Sequence, residues 1–233
     1  MIALIEYIAL VAFVVALPIS GAYHWPEFVR AAKAGEPGVR MRTYREVLLA
    51  QWSLTTVLLA CWTVAGRPWD RLGLGMPARA AVIAIGCALL LALLSWLQVR
   101  KLRAADEQTL TLVRTQLGDV GELLPHDRQE HRWFRAVAFT AGFCEEVTYR
   151  GILPLALAAW LPPPSAIVTA TLLFGIGHAY QGATSILKVT VVGGVMAGVT
   201  VLTDSLWPAI ALHAVLDLHG GAIGFAVWSR RAD

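Results

Sequence analysis

The chain is dominated by long apolar runs that are separated by short polar connections. A helix needs about 20 apolar residues to cross a hydrocarbon core about 30 Å thick, and most runs approach that length. None shows the alternation of barrel strands, and inside lipid only helices and closed barrels satisfy the backbone. The pattern predicts an all-α, polytopic transmembrane helix bundle. The seven predicted spans are residues 2–20, 46–65, 79–99, 133–160, 165–180, 184–203 and 206–228.

The first run could also be a secretory signal peptide that is removed. It lacks the basic residues that precede a signal sequence, and no clean small-x-small cleavage site follows it. Its apolar stretch is about 18 residues long, which is enough to span a bilayer. We therefore expect it to be retained as the first helix.

One segment between the third and fourth predicted spans, residues 106–124, has a different pattern. Its apolar residues recur at spacings of three and four, with polar residues between them, which predicts an amphipathic helix too polar to span. Such a helix either lies on the cytoplasmic membrane surface or packs on a neighbouring cytoplasmic loop. The apolar positions are Leu110, Val113, Leu117, Val120 and Leu124.

Composition agrees with a membrane protein. Of the 233 residues, 57% are hydrophobic and 15% are charged, whereas a soluble domain carries about a quarter charged residues. The three cysteines, Cys61, Cys87 and Cys144, all fall within apolar runs, and no C-x-x-C pair occurs. These cysteines therefore indicate neither a disulfide framework nor a zinc finger.

The distribution of basic residues predicts the orientation. Lys and Arg are concentrated in the segments after the first and third predicted spans, and the C-terminus carries Arg230 and Arg231. The alternate loops carry few basic residues. By the positive-inside rule, the N-terminus is outside and the C-terminus is cytoplasmic. An odd number of spans is required for this arrangement.

Ionisable side chains lie within the predicted spans of the C-terminal half, where they are costly and point to function. Glu146 and Arg150 are four residues apart, as an intrahelical ion pair requires. The same spacing separates His213 from Asp217. Glu145 is offset from Glu146 by about 100° around the helix, so it is directed elsewhere. A further histidine, His178, follows Phe174 by four residues.

These side chains can form one site. With a rise of about 1.5 Å per residue, Glu145, His178 and His213 can meet in the cytoplasmic half of the membrane if their helices are neighbours. A carboxylate and two histidines can activate water and stabilise an oxyanion, which suits hydrolysis. The same three residues could instead bind a divalent metal such as zinc with an open position for water. The H-E-x-x-H signature of soluble zinc proteases is absent, so three separate helices would have to supply the ligands.

Other interpretations of these residues remain open. The Glu146–Arg150 pair could serve only to fix helix packing. Cys144 could act as a nucleophile with His178 as its base, although a buried thiol is usually inert. A proton-coupled transporter would use a similar relay of acids and histidines, but the internal repeats typical of transporters are not visible in this sequence.

Three motifs resemble those of one known family. EEVTYR, FGIGH and HAVLD are similar, in this order, to the E-E-x-x-x-R, F-x-x-x-H and H-x-x-x-N/D motifs of the CPBP intramembrane proteases. That family includes type II CAAX prenyl endopeptidases and bacteriocin-processing (Abi) proteins. The resemblance implies a catalytic membrane core at residues 130–233. Residues 1–129 then form an N-terminal part made of transmembrane helices, loops and the amphipathic helix.

The resemblance also implies residue roles. Glu145 and His178 would activate water, His213 and Asp217 would stabilise the oxyanion, and Glu146 with Arg150 would shape the site. Asp217 stands where many relatives have Asn, and an ionised Asp cannot donate a hydrogen bond. Asp217 must therefore be protonated, orient His213 or accept a hydrogen bond from another group.

The implied activity is that of an intramembrane endopeptidase. Its substrate would be a membrane-associated peptide or lipidated protein, of the prenylated CAAX type or bacteriocin-like, and no nucleic acid is expected as a partner. The location would be the bacterial plasma membrane. Members of the family are often labelled metalloproteases, yet the glutamate mechanism requires no metal. A non-catalytic membrane scaffold that retains the family fold is a further alternative.

Overall fold

The computed structural model describes residues 1–229. Arg230 and Arg231, on which the predicted orientation partly rests, lie outside this range. Within the described range the chain is helical and has no strand, which confirms the predicted all-α bundle. The helices, in chain order, are α1 (Ile2–Lys33), α2 (Val39–Val64), α3 (Ala78–Ala104), α4 (Glu107–Leu117), α5 (Arg128–Glu146), α6 (Leu153–Leu157), α7 (Pro163–Gly177), α8 (Ala183–Thr203) and α9 (Trp207–Trp228).

Five of these helices, α1, α2, α3, α8 and α9, are long and apolar enough to cross a membrane. The protein is therefore an integral membrane protein. The other two predicted spans correspond to α7 and to the segment of α5 and α6. Several charged residues lie in α5. At 15 residues α7 is about 22 Å long, shorter than the hydrocarbon core. The helix lies within three residues of the approximate window 165–180, because Pro163 starts it and Gly177 ends it.

The predicted end of the first span was wrong as a helix boundary. The apolar run stops near residue 20, but α1 continues to Lys33. Hydropathy reports where lipid contact ends, whereas a helix continues as long as its backbone bonds are made. The basic side chains of Arg30 and Lys33 lie in its last turn, where they complement the negative end of the helix dipole.

The amphipathic segment forms a helix over only part of its predicted length. Helix α4 ends at Leu117, and Gly118 follows with a left-handed φ of +53° before a 3-10 turn. Leu110 is fully buried, and it packs in a cluster with Val99 of α3 and Val227 of α9. The apolar face of α4 therefore covers the ends of two long helices.

Two π-helical turns occur in the described chain, and each precedes a proline. Residues Ala12–Ala16 form the first, ahead of Pro18, and residues Val147–Ile152 form the second, ahead of Pro154. Proline has no N–H with which to bond the carbonyl four residues earlier, and a wider turn accommodates this loss. The second π-helical turn connects α5 to α6 and directly follows Glu146.

Helix α5 lies between α2 and α9, and α9 also packs against α3 and α8. The approach of α5 to α9 is close because Gly142 has no side chain. A Cβ at this position would lie 3.0 Å from the backbone N of Ala214 and 3.1 Å from the carbonyl oxygen of Ile210. Gly142 is one turn before Glu146, and Ala214 follows His213. This close contact therefore brings the acidic end of α5 to the histidine of α9.

We expect the substitution Gly142→Ala to destabilise the bundle by about 1–3 kcal/mol, because backbone atoms of α9 cannot yield to the added methyl group. The free energy of unfolding, measured in detergent micelles, checks this value. Gly198→Ala is the matched control, since Gly198 is also within a long helix but a Cβ there would meet nothing within 4 Å. Equal stabilities of the two variants would contradict the close packing of α5 on α9.

Candidate active site

The two adjacent glutamates at the end of α5 contact different helices. Glu145 Oε1 accepts a hydrogen bond from Nε2 of Gln51 on α2, at 2.8 Å. Glu146 Oε1 lies 2.7 Å from Nδ1 of His213 on α9. Consecutive residues of a helix differ by about 100° in direction, and α5 lies between the two partner helices. The carboxyl groups therefore have separate environments.

The predicted ion pair is present and completely buried. Arg150 Nη1 donates to Glu146 Oε1 at 2.8 Å, and the two side chains are 2% and 0% exposed. Arg150 Nη2 also donates to the carbonyl oxygen of Gly193 on α8 at 3.2 Å. The guanidinium lies 4.0 Å from the ring centroid of Phe174. These contacts connect α5, α7 and α8.

The ring of His213 is oriented by Glu146. Because the carboxylate of Glu146 already accepts from Arg150, Nδ1 of His213 carries the hydrogen and donates it to the same oxygen. The other ring nitrogen, Nε2, is then directed toward two further acids. It lies 3.9 Å from Glu145 Oε2 and 3.7 Å from Asp217 Oδ2.

The side chains of His213, Glu145 and Asp217 differ in how exposed they are. The side chains of His213 and Glu145 are 8% and 13% exposed, whereas that of Asp217 is 38% exposed. The separations of Nε2 from the two acids are too long for direct hydrogen bonds but suit a shared water. The predicted His213–Asp217 pair is thus present at ion-pair distance, with Asp217 on the open side.

His178 lies just beyond α7 and terminates it. Its Nδ1 donates to the carbonyl oxygen of Phe174 at 2.9 Å, which leaves Nε2 as the acceptor of a neutral ring. Its ring is 4.9 Å from that of Phe174, which is itself 6.0 Å from His213. Within residues 1–229, no direct hydrogen bond or ion pair joins His178 to Glu145, His213 or Asp217. The Phe174 ring lies beside both histidines.

The arrangement was also tested as a metal site. Within the part of the chain that the structure describes, no three His, Cys, Asp or Glu side chains are placed to hold a metal ion. The side chains of Glu145, His178 and His213 are thus not gathered into a metal site in the described structure, and the predicted metal stays a prediction.

Cys144 is fully buried in a cluster of apolar side chains that includes Leu58 of α2. A nucleophilic role with His178 as base has no support from the structure, because no hydrogen bond joins the two residues in the described range.

Sequence reasoning missed Gln51 and Gly193. Gln51 was detectable in principle, because an amide inside an apolar run of 46–65 is a polar residue in a predicted span. Gly193 contributes only a backbone carbonyl, for which a single sequence has no signal. The interaction of Glu146 with His213 was also missed, because it joins residues on different helices.

Comparison with known proteins bears on the same residues. The sequence model of the Rce1-like family, described as type II CAAX prenyl endopeptidase Rce1-like, matches residues 129–219. A search of curated proteins and a search of solved structures gave no match. The matched segment contains all six predicted site residues, Glu145, Glu146, Arg150, His178, His213 and Asp217. The resemblance seen in the three motifs is thus confirmed over residues 129–219, which are similar to the Rce1-like family of type II CAAX prenyl endopeptidases.

Proposed function

We propose that this protein is an intramembrane endopeptidase that hydrolyses a peptide bond of a membrane-associated substrate with a water activated by Glu145. One observation carries the proposal. Glu145 Oε2 and Asp217 Oδ2 lie 3.9 Å and 3.7 Å from Nε2 of His213, at a site that opens beside Asp217. A base and a hydrogen-bond donor at this separation can bind one water and one substrate carbonyl between them.

In the first step, Glu145 Oε2 removes a proton from water while the water oxygen attacks the scissile carbonyl carbon. The carbonyl π electrons move to its oxygen, which gives a tetrahedral oxyanion. Nε2 of His178 accepts a hydrogen bond from the same water, since its Nδ1 hydrogen is held by the carbonyl of Phe174. The two acceptors orient the lone pair of the water toward the carbonyl carbon.

The oxyanion is stabilised by His213. When both ring nitrogens carry hydrogen, Nδ1–H donates to Glu146 and Nε2–H donates to the oxyanion. The buried Arg150 donates to Glu146 and holds its carboxyl group as the acceptor behind the ring. Glu145 then transfers its proton to the leaving nitrogen, and the C–N bond breaks. No step is assigned to a metal.

Asp217 orients Nε2 of His213 from the open side of the site. We expect Asp217→Asn to retain kcat within about tenfold. The asparagine side chain has the size of aspartate and keeps one hydrogen-bonding oxygen, and its NH₂ group adds a donor for the oxyanion. Asp217→Leu should lower kcat by roughly 100-fold, as does the loss of one oxyanion contact. Steady-state cleavage rates check both values. An Asn variant as inactive as the Leu variant would show that the negative charge itself is required.

The proposed substrate is a peptide anchored in the membrane, either by a prenyl group or by an apolar segment. The matched family supports the prenylated CAAX class, and the distribution of basic residues supports a cytoplasmic C-terminus. The bacterial plasma membrane stays a prediction. The test uses the purified full chain in liposomes with two peptides of one sequence, one farnesylated and one anchored by an apolar helix. Cleavage of the farnesylated peptide alone would identify the lipid as part of recognition.

The variants Glu145→Ala, His178→Ala and His213→Ala are compared with the parent protein in this assay. We expect none of them to cleave either peptide at a measurable rate. The matched control is His219→Ala, because His219 is on α9 but its Nδ1 pairs with Ser95 on α3 at 2.9 Å. Undiminished cleavage by Glu145→Ala would overturn the proposal. Loss of parental activity on chelation, with stoichiometric bound metal, would overturn the metal-free mechanism.

A further inference from the structure

Gln51 contacts the proposed catalytic glutamate from outside the matched segment. It lies on α2, is only 6% exposed, and donates through Nε2 to Glu145 Oε1 at 2.8 Å. The family match begins at residue 129, so this contact comes from the N-terminal part of the chain.

The hydrogen bond determines which oxygen of Glu145 is available. Oε1 is held by the amide, whereas Oε2 is buried and has no hydrogen-bond partner within residues 1–229. Oε2 is also the oxygen that lies 3.9 Å from Nε2 of His213. Without the amide, the carboxyl group could rotate about its last bond and exchange the two oxygens. Gln51 therefore fixes the rotation that presents Oε2 to the site.

Helix α2 is itself docked firmly against α5 at this level. Trp52 Nε1 donates to Thr140 Oγ1 at 2.9 Å, and its ring stacks on that of Phe143 at 5.5 Å. These contacts lie beside Gln51, so the position of its amide is set by the packing of the two helices.

We propose that Gln51 is a positioning residue that holds the Glu145 carboxylate in its reactive orientation, so that α2 completes a site whose other groups lie in the family core. The inference rests on the proposed function of Glu145 as the base. It predicts that loss of the amide lowers kcat but leaves KM nearly unchanged, because Gln51 contacts the base and not the substrate.

The first variant is Gln51→Met, which keeps the length of the side chain and removes the donor. We expect kcat for cleavage of the liposome-anchored peptide to fall roughly 10- to 100-fold, with KM within about twofold and the protein still folded in detergent. Thr63→Val is the matched control, since Thr63 is also on α2 but its hydroxyl donates to the carbonyl oxygen of Leu59 within the same helix. Its kcat should equal that of the parent.

The second variant, Gln51→Glu, distinguishes a role of residue 51 in orienting the Glu145 carboxylate from a role in packing α2 on α5. A carboxyl at residue 51 donates to Glu145 only when the pair holds a proton, and two ionised carboxylates repel each other. The ratio of variant to parental kcat should therefore rise at least about tenfold between pH 8 and pH 5. His213 and Asp217 on α9 also face Glu145, but they titrate in both proteins and their effect cancels in the ratio to first order.

Full kcat in Gln51→Met would overturn the inference. So would a loss of activity in Gln51→Met that follows a loss of stability, if the ratio of Gln51→Glu kcat to parental kcat also stays constant with pH. Failure of the proposed function gives a different result. If the proposed function is wrong, Glu145→Ala still cleaves the peptide. If Glu145→Ala is inactive and Gln51→Met is fully active, only the role of Gln51 is refuted.

Discussion

Replacement of Glu145 by glutamine is expected to lower kcat for peptide cleavage by roughly 10²- to 10⁴-fold, the usual contribution of a general base. Glutamine has nearly the same size as glutamate, and its amide can still pair with Gln51, so the bundle should fold as the parent does. The side chain is 13% exposed, and among residues 1–229 its ion-pair partner is His213 at 3.9 Å. The substitution therefore removes proton transfer and little else.

Cleavage rates and unfolding curves from the same preparation check this expectation. Glu36→Gln is the matched control, because Glu36 is an exposed acid whose partner, Arg42, is also exposed. That variant should equal the parent in both measurements. If Glu145→Gln retained a rate within twofold of the parent, another group would have to be the base.

The second large effect is expected for Arg150→Met. The substitution leaves the carboxylate of Glu146 buried at 0% exposure without its cation, and it removes the guanidinium from the face of Phe174. Loss of one partner of a buried ion pair typically destabilises a protein by about 3–5 kcal/mol. We expect a decrease of that size in the free energy of unfolding in detergent, together with loss of cleavage.

Two controls distinguish the cost of leaving the Glu146 carboxylate buried and unpaired from the general cost of replacing an arginine. The double variant Glu146→Gln, Arg150→Met has no orphaned charge and should recover much of the lost stability. Arg42→Met breaks an exposed ion pair with Glu36 and should cost at most about 1 kcal/mol. If Arg150→Met were no more destabilising than Arg42→Met, the ion pair would contribute little to the fold.

Much of this architecture could be predicted from the sequence, because it depends on local periodicity. The apolar runs predicted helices, and the spacing of four residues predicted the pairing of Glu146 with Arg150 within one helix. The first and last residues of the helices were less predictable. Helix α2 begins at Val39, well before its apolar run, since a helix extends into water wherever its backbone can be satisfied.

The contacts between helices could not be predicted from local spacing. Gln51 is 94 residues from Glu145 in sequence, and Glu146 is 67 residues from His213. Such pairs depend on which helices are neighbours and how closely they approach, for example at Gly142. The predicted division of the chain near residue 129 stays a prediction. The hydrogen bond of Gln51 shows, however, that the part before that residue reaches the candidate site.

The central claim is that water activated at Glu145 hydrolyses a peptide bond of a membrane-anchored substrate. The most direct measurement is mass spectrometry of the products formed by purified, reconstituted protein in ¹⁸O-labelled water. The parent is predicted to give two fragments from a single cut, with ¹⁸O in the new carboxyl group, and Glu145→Gln is predicted to leave the peptide intact. An intact peptide with the parent, or the same fragments with Glu145→Gln, would contradict the account.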